Sequence, residues 1–202
     1  RIIADMARAV VLGATGHIGA HIVRALLAEG HTVGAVYRNT RYLHVLQDLP
    51  VERIQADLEQ PNVLKPILKD CDWLFHAAGY YPSGVVDRSI AIERSLQSTQ
   101  RILAQIQNSS VQRIVFTSSA ATLHYVAGRA SNEQDAQTRP LTHGRPLYST
   151  VKIAMEQEVL KASQRGMPVV IVNPTLCMGE YDAHPFSGRV LLAFAKHRIP
   201  WY

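Results

Sequence analysis

Tyr148 and Lys152 stand four positions apart in the stretch LYSTVK, Leu147 to Lys152. Four residues of α-helix turn through about 400°, so the two side chains share one face, offset by roughly 40°. A lysine ammonium beside a phenol favours the phenolate and lowers its pKa from about 10. Such a pair can give or take a proton near neutral pH. The same two residues also suit an ordinary amphipathic helix. The acid–base reading therefore requires a cofactor site, a third polar group and a fold that assembles them.

A cofactor site is suggested by VVLGATGHIGA, which places Gly13, Gly16 and Gly19 between an apolar run and a helical pattern. Glycine is needed where such a turn bends sharply, where backbone approaches a pyrophosphate, and where helix packs on strand. The unpaired N–H groups that open the helix attract phosphate. Gly13, Thr15, Gly16, His17, Ile18 and Gly19 are accordingly the candidate phosphate-binding residues. The competing reading is a tight strand-to-helix turn that binds nothing. A chain that binds NAD usually ends its second strand with Asp or Glu, which holds the ribose 2′-OH. Here that strand ends VYRNTR, with no acid, Arg38 at the switch position and Arg41 nearby. A guanidinium fork suits a 2′-phosphate, so NADP is expected ahead of NAD. The alternative is that Arg38 is only a solvated residue after a strand.

The elements that would position these groups alternate in type. Strands are expected over Ala9–Leu12, Thr32–Tyr37, Arg53–Ala56, Trp73–Gly79, Arg113–Ser119 and Pro168–Pro174. Helices are expected from Ile18 to the stop at Gly30, and over Pro61–Asp70, Asp87–Gln107, Tyr148–Arg165 and Ser187–His197. Tyr125–Arg145 reads mostly as loop. The alternation predicts an α/β fold, a doubly wound parallel sheet with helices on both faces. The runs AVVL and VVIV are apolar throughout, as expected of strands buried on two faces.

The chain has 202 residues, 47% hydrophobic and 18% charged, which suits a globular protein with a sizeable core. Its net charge is +5, but the arginines are scattered and no Lys/Arg run carries interleaved aromatics, so nucleic acid is not an expected partner. The basic balance fits an anionic small molecule. Cys71 and Cys177 lie far apart in apolar surroundings, which argues against a disulfide framework and for a reducing, cytoplasmic compartment. No apolar run is long enough to span a membrane. The N-terminus, RIIADMARAV, has neither an initiator Met nor a signal peptide's ordered regions.

From about Ala9 onward the chain resembles the extended branch of the short-chain dehydrogenase/reductase superfamily. The resemblance is carried by GATGHIG, Asp57–Leu58, HAAG at His76–Gly79, TSSA at Thr117–Ala120, YSTVK, and NPTLCMG at Asn173–Gly179. Within that branch it looks most like nucleoside-diphosphate-sugar epimerase-like and dihydroflavonol-reductase-like proteins. The resemblance implies a Rossmann dinucleotide-binding domain over residues 1–178. It implies a substrate-binding region that starts at 179 and lies mostly beyond residue 202. It makes Ser119, Tyr148 and Lys152 the catalytic candidates, with Ser119 (or, by a register shift, its neighbour Ser118 or Thr117) orienting the substrate oxygen and Lys152 also bonding the nicotinamide ribose. Asp57 would face the adenine amino group, unless it is a helix N-cap. Leu58, Ala77, Ala78, Gly79, Thr117, Pro174, Thr175 and Leu176 would line the cofactor.

The implied activity is NAD(P)-dependent hydride transfer at a carbon bearing oxygen, on a nucleotide sugar. An NADPH-dependent reductase of ketones or aldehydes is the alternative, and a non-catalytic NADP sensor on the same fold is a third reading. A homodimer through Asp87–Gln107 and Tyr148–Arg165 is implied by resemblance alone. One departure stands out: Ser95, in SLQST, replaces an Asn that the family often carries, and a serine there could hold a relay water.

Four signals are set aside. His17 and His21 have a metal-like spacing but no evident third ligand, so no metal is expected. Ser119 lacks the G-x-S-x-G turn of a hydrolase nucleophile. Tyr80 and Tyr81 suit either a substrate pocket or a cover for the sheet end. His76 reads as structural or close to the cofactor.

Overall fold

The computed structural model describes residues 6–79, 87–136, 146–183 and 188–196. Tyr80, Tyr81, the end of the Tyr125–Arg145 loop and the first and last residues of the Ser187–His197 helix lie outside them. Six strands form one parallel sheet: β1 (Arg8–Leu12), β2 (Thr32–Tyr37), β3 (Glu52–Gln55), β4 (Trp73–His76), β5 (Arg113–Thr117) and β6 (Val169–Val172). Their order is β3-β2-β1-β4-β5-β6, so the chain reverses direction across the sheet between β1 and β4. In such a sheet, ligands bind outside the carboxyl ends of the strands at that switch point.

Alternating side chains send the sheet's apolar residues to opposite faces. On one face Ala9, Val11, Val33 and Ala35 pack with Val23 and Leu26 of α1 (His17–Ala28). On the other, Val10, Leu12, Leu74 and Ile114 pack with Leu64 and Ile67 of α2 (Leu64–Ile67) and with Ile102 and Ile106 of α3 (Arg88–Gln107). Phe116 joins Ala91 and Leu103 of α3 and Val151, Met155 and Val159 of α4 (Leu147–Gln164). The last helix is α5 (Gly188–Ala195).

Several boundaries differ from the sequence expectation. The helix expected over Pro61–Asp70 shrinks to the four residues of α2. Pro66 supplies no N–H, and the left-handed φ values of Asn62 (58°) and Asp70 (57°) bracket the turn. Thr40–Leu46 forms two short 3₁₀ turns with a kink at Tyr42, which the hydrophobic pattern did not announce. The fourth strand stops at His76, three residues before Gly79, and the sixth runs only from Val169 to Val172. The two-sided burial expected for VVIV is wrong. Val170 and Val172 are 63% and 39% exposed, because among the described residues α4 covers the Val169 and Ile171 face of β6 and no helix covers the other.

Candidate active site

The turn between β1 and α1 is held by its own backbone. Gly13 and Ala14 N–H both donate to Val36 O, at 3.0 and 2.9 Å, and Gly16 N–H donates to Gly13 O at 2.9 Å. Gly13 sits at φ +80°, and a Cβ there would lie 2.8 Å from Ala78 N and 2.9 Å from Ala78 Cα. A Cβ at Gly19 would overlap Gly13 O, so α1 rests directly on the turn. Gly16 caps α1 with no side chain, and Ala20 is the first residue to bond back to it. The N–H groups of His17, Ile18 and Gly19 therefore have no partner within the helix. They face the switch point with a partial positive charge. Ala77, Ala78 and Gly79 follow β4 beside this turn, and Ala77 N–H donates to Leu12 O at 3.0 Å. Small residues and exposed donors together fit the phosphates of a dinucleotide.

The other expected residues reach the same carboxyl edge of the sheet. Arg38 follows β2 and is exposed, as is Arg41, whose guanidinium lies 5.5 Å from the Tyr42 ring centre. Asp57 follows β3. It caps no helix: its Oδ1 accepts Glu59 N–H at 3.1 Å in a local turn, and α2 begins seven residues later. Leu58 packs against the core rather than standing free. Pro174 follows β6 and accepts Ala120 N–H at 2.9 Å, while Thr175 and Leu176 are exposed. Thr15 is half-buried in the glycine turn.

After β5 the chain turns into a short 3₁₀ segment, Ala120–Thr122, with Ser119 as its N-cap. Ser119 Oγ accepts Ala121 N–H at 3.2 Å, which leaves its own proton to donate to a ligand oxygen. Ser118 is buried, and its hydroxyl donates to Glu156. The two adjacent serines are thus distinguished by structure: Ser118 is committed to the protein interior, and Ser119 is the half-buried one. Tyr148, on the first turn of α4, is half-buried. Lys152, one turn on, is buried and its Nζ donates to Thr117 O at 3.3 Å. Burial pushes its ammonium down to about 8, and the Glu156 carboxylate opposes that fall.

His76 ends β4 beneath this edge, 4% exposed, its ring 5.2 Å from that of Phe116. Neither ring nitrogen has a hydrogen-bond partner among the described residues. Burial and then the Lys152 charge push its pKa down to about 4, so it is neutral near pH 7. Ser95 is committed to its own helix. It is fully buried on α3 and its hydroxyl donates to Ile92 O at 2.7 Å, within its own helix. His17 and His21 pack edge to face at 5.2 Å, and a ring nitrogen of His21 lies 3.0 Å from Glu180 O. No group of three or more metal-ligating side chains occurs among the described residues, and no described helix is long and apolar enough to cross a membrane.

Glu156 escaped the sequence reading. Its Oε2 collects the Ser118 hydroxyl, Thr122 Oγ1 at 2.8 Å and Asn173 Nδ2 at 2.9 Å. The available signal was its place four residues after Lys152, a carboxylate on the helix face that carries the lysine.

Known proteins resemble this chain over most of its length. A Synechocystis protein whose name gives it provisionally as a dihydroflavonol 4-reductase is 34% identical over 95% of this chain and 56% of its own length. A Methylococcus capsulatus protein named sterol demethylase protein B is 34% identical over 94% of this chain and 58% of its own. A solved nucleoside-diphosphate-sugar epimerase from Pseudomonas aeruginosa superposes with TM-score 0.80 at 24% identity, covering 98% of this chain and 62% of that one. The chain thus spans about six-tenths of the length of the proteins it matches. Residues 9–198 match the NAD dependent epimerase/dehydratase family, and with the glycine turn and the switch-point sheet in place the chain belongs to that family.

Proposed function

We propose that the protein carrying this chain is an NADPH-dependent reductase that acts on a ketone or aldehyde carbon, or on the corresponding alcohol in reverse. The observation that carries this reading is that Lys152 Nζ reaches Thr117 O at the end of β5, two residues before Ser119, with Tyr148 one turn earlier on the same helix. The bound nicotinamide supplies or accepts the hydride. Ser119 donates a hydrogen bond to the substrate oxygen. Tyr148 gives that oxygen a proton, or takes it in the reverse direction, and Lys152 would bond the nicotinamide ribose. Asp57 would face the adenine of a bound dinucleotide, and the line from Ala77 to Gly79, with Thr117, Pro174, Thr175 and Leu176, would border it.

Arg38 favours NADP over NAD, because no acid stands at the end of β2 to bind a free 2′-hydroxyl. The reductase names of relatives at 34% and 31% identity favour a carbonyl substrate over a nucleotide sugar. In this reading residues 1–178 bind the dinucleotide and the chain from 179 opens the substrate side. The α3 and α4 helices are the faces through which a homodimer would form.

The test follows NADPH absorbance while a panel of ketones and aldehydes is added to the protein. Expected is net oxidation, at least 100-fold slower in Tyr148→Phe with NADPH affinity retained. Tyr148→Phe that turns over at the wild-type rate, or tight NADPH binding with no oxidation by any member of the panel, refutes the reading.

A further inference from the structure

Glu156 has no part in the chemistry just described, yet it is the only buried carboxylate among the described residues. It is 6% exposed on the inner face of α4. The groups that reach Oε2 come from three different segments: Ser118 from the end of β5, Thr122 from the 3₁₀ turn, and Asn173 from the end of β6. Asn173 Nδ2 also lies 2.9 Å from Thr122 Oγ1 and 3.2 Å from Ser119 O, so the cluster closes on the backbone of the substrate-orienting serine. Thr122 Oγ1 lies 2.8 Å from both Ser119 O and Glu156 Oε2, and its single proton serves one of them at a time. A buried ion is expensive unless it is paired and hydrogen-bonded; here the hydrogen bonds are in place, and Lys152 stands one turn earlier on the same helix face.

We propose that Glu156 is a positioning residue for the site: its carboxylate fastens α4 to the carboxyl ends of β5 and β6 and serves as the buried counter-charge of Lys152. This rests on the reading of Lys152 given above and extends it. A lysine buried without a counter-charge loses its proton. The groups around Lys152 make Glu156 the one that opposes this loss. From β4 comes His76, neutral and pushed further down by the lysine itself. From α3 comes Arg88, whose guanidinium donates to Thr150 Oγ1 at 2.6 Å. The ends of β5 and β6 and the 3₁₀ turn offer the neutral Thr117, Ser118, Ser119, Thr122 and Asn173. On α4 itself stand Tyr148 and Glu156. Glu156 is the only carboxylate in this set.

The experiment reads Lys152 without substrate or cofactor. Protein labelled with ¹³C-lysine is titrated from pH 6.5 to 10.5, and the Lys152 Cε resonance is assigned by its loss in Lys152→Met. The wild-type midpoint is expected near 8. In Glu156→Gln it falls by about one unit, and in Glu156→Asp, which keeps the charge but draws it back, it falls by less. Circular dichroism identifies which variants are folded, and either folded variant suffices. A Lys152 midpoint equal to wild type in a folded Glu156 variant overturns the proposal. NADPH fluorescence titrations across the same range are expected to weaken at lower pH in the variants than in wild type. Failure of wild-type protein to bind NADPH refutes the function proposed above, and the Lys152 titration still decides the role of Glu156.

Discussion

Replacing Gly19 by alanine should damage both stability and cofactor binding, and the size of each follows from one contact. The new Cβ would overlap Gly13 O and lie 2.8 Å from Gly13 C and 3.1 Å from Ala14 Cα. All three are backbone atoms, in a turn tied twice to Val36 O, so no flexible side chain can yield. Relief requires α1 and the turn to separate by roughly 1 Å, which places the cost near the upper end of core overpacking, about 3 kcal/mol. Alanine recovers about 1 kcal/mol through its better helix propensity. The net loss is about 2 kcal/mol, or about 4–8 °C in Tm for a chain of this size.

The displaced turn also carries the His17, Ile18 and Gly19 N–H groups away from their phosphate. Loss of one charge-assisted hydrogen bond, about 1.5 kcal/mol, lowers NADPH affinity at least tenfold. Gly30→Ala is the control. Gly30 has φ +86° and nothing within 4 Å of its Cβ position, so alanine there costs about 1 kcal/mol of backbone strain and leaves NADPH affinity unchanged. Thermal melts and NADPH fluorescence titrations on both variants decide the matter. Gly19→Ala with wild-type affinity refutes the claim that this turn cradles the cofactor.

Arg38→Ala should weaken NADPH about 10- to 100-fold while leaving NADH nearly unchanged, as read by parallel fluorescence titrations. The folded-state pKa of His76 is about 4, below the ordinary 6.5, so between those values the unfolded chain binds more protons than the folded one. Stability is therefore full above about pH 6.5 and falls on acidification toward 4, by about 3 kcal/mol from this group. His76→Leu should remove that part of the acid dependence in urea titrations at pH 7 and pH 4.5. Burial pushes the Cys71 thiol up to about 11, so native protein at pH 8 should leave Cys71 unalkylated by iodoacetamide, as read by peptide mass spectrometry.

Much of the fold was readable from the residues because its signals are local. The glycine turn, the Gly30 stop and the 3.6-residue period from Ile18 to Leu27 together define the first strand–turn–helix unit. Thr32–Tyr37 and Arg113–Thr117 are apolar and β-rich enough to be recognised without context. Even Arg38 could be singled out, since the absence of an acid after β2 is a fact of sequence. By contrast, the exposure of Val170 and Val172 depends on which face of β6 a helix covers, and apolar runs look alike whether one face is covered or both. The reduction of Pro61–Asp70 to one turn depends on how the chain must reach β4.

The site divides in the same way. The sequence alone marked Tyr148 and Lys152 as a pair, because helical geometry makes i and i+4 neighbours wherever the helix lies. Only the tertiary structure could separate Ser118 from Ser119, since the choice depends on which hydroxyl meets a helix packed from 38 residues further along the chain. Ser95 was likewise decided by burial, which turned its hydroxyl back onto its own helix. The part played by Glu156 was decided there too. A carboxylate acts as a counter-charge only when water is excluded around it, and exclusion is a property of packed elements, not of spacing along a chain.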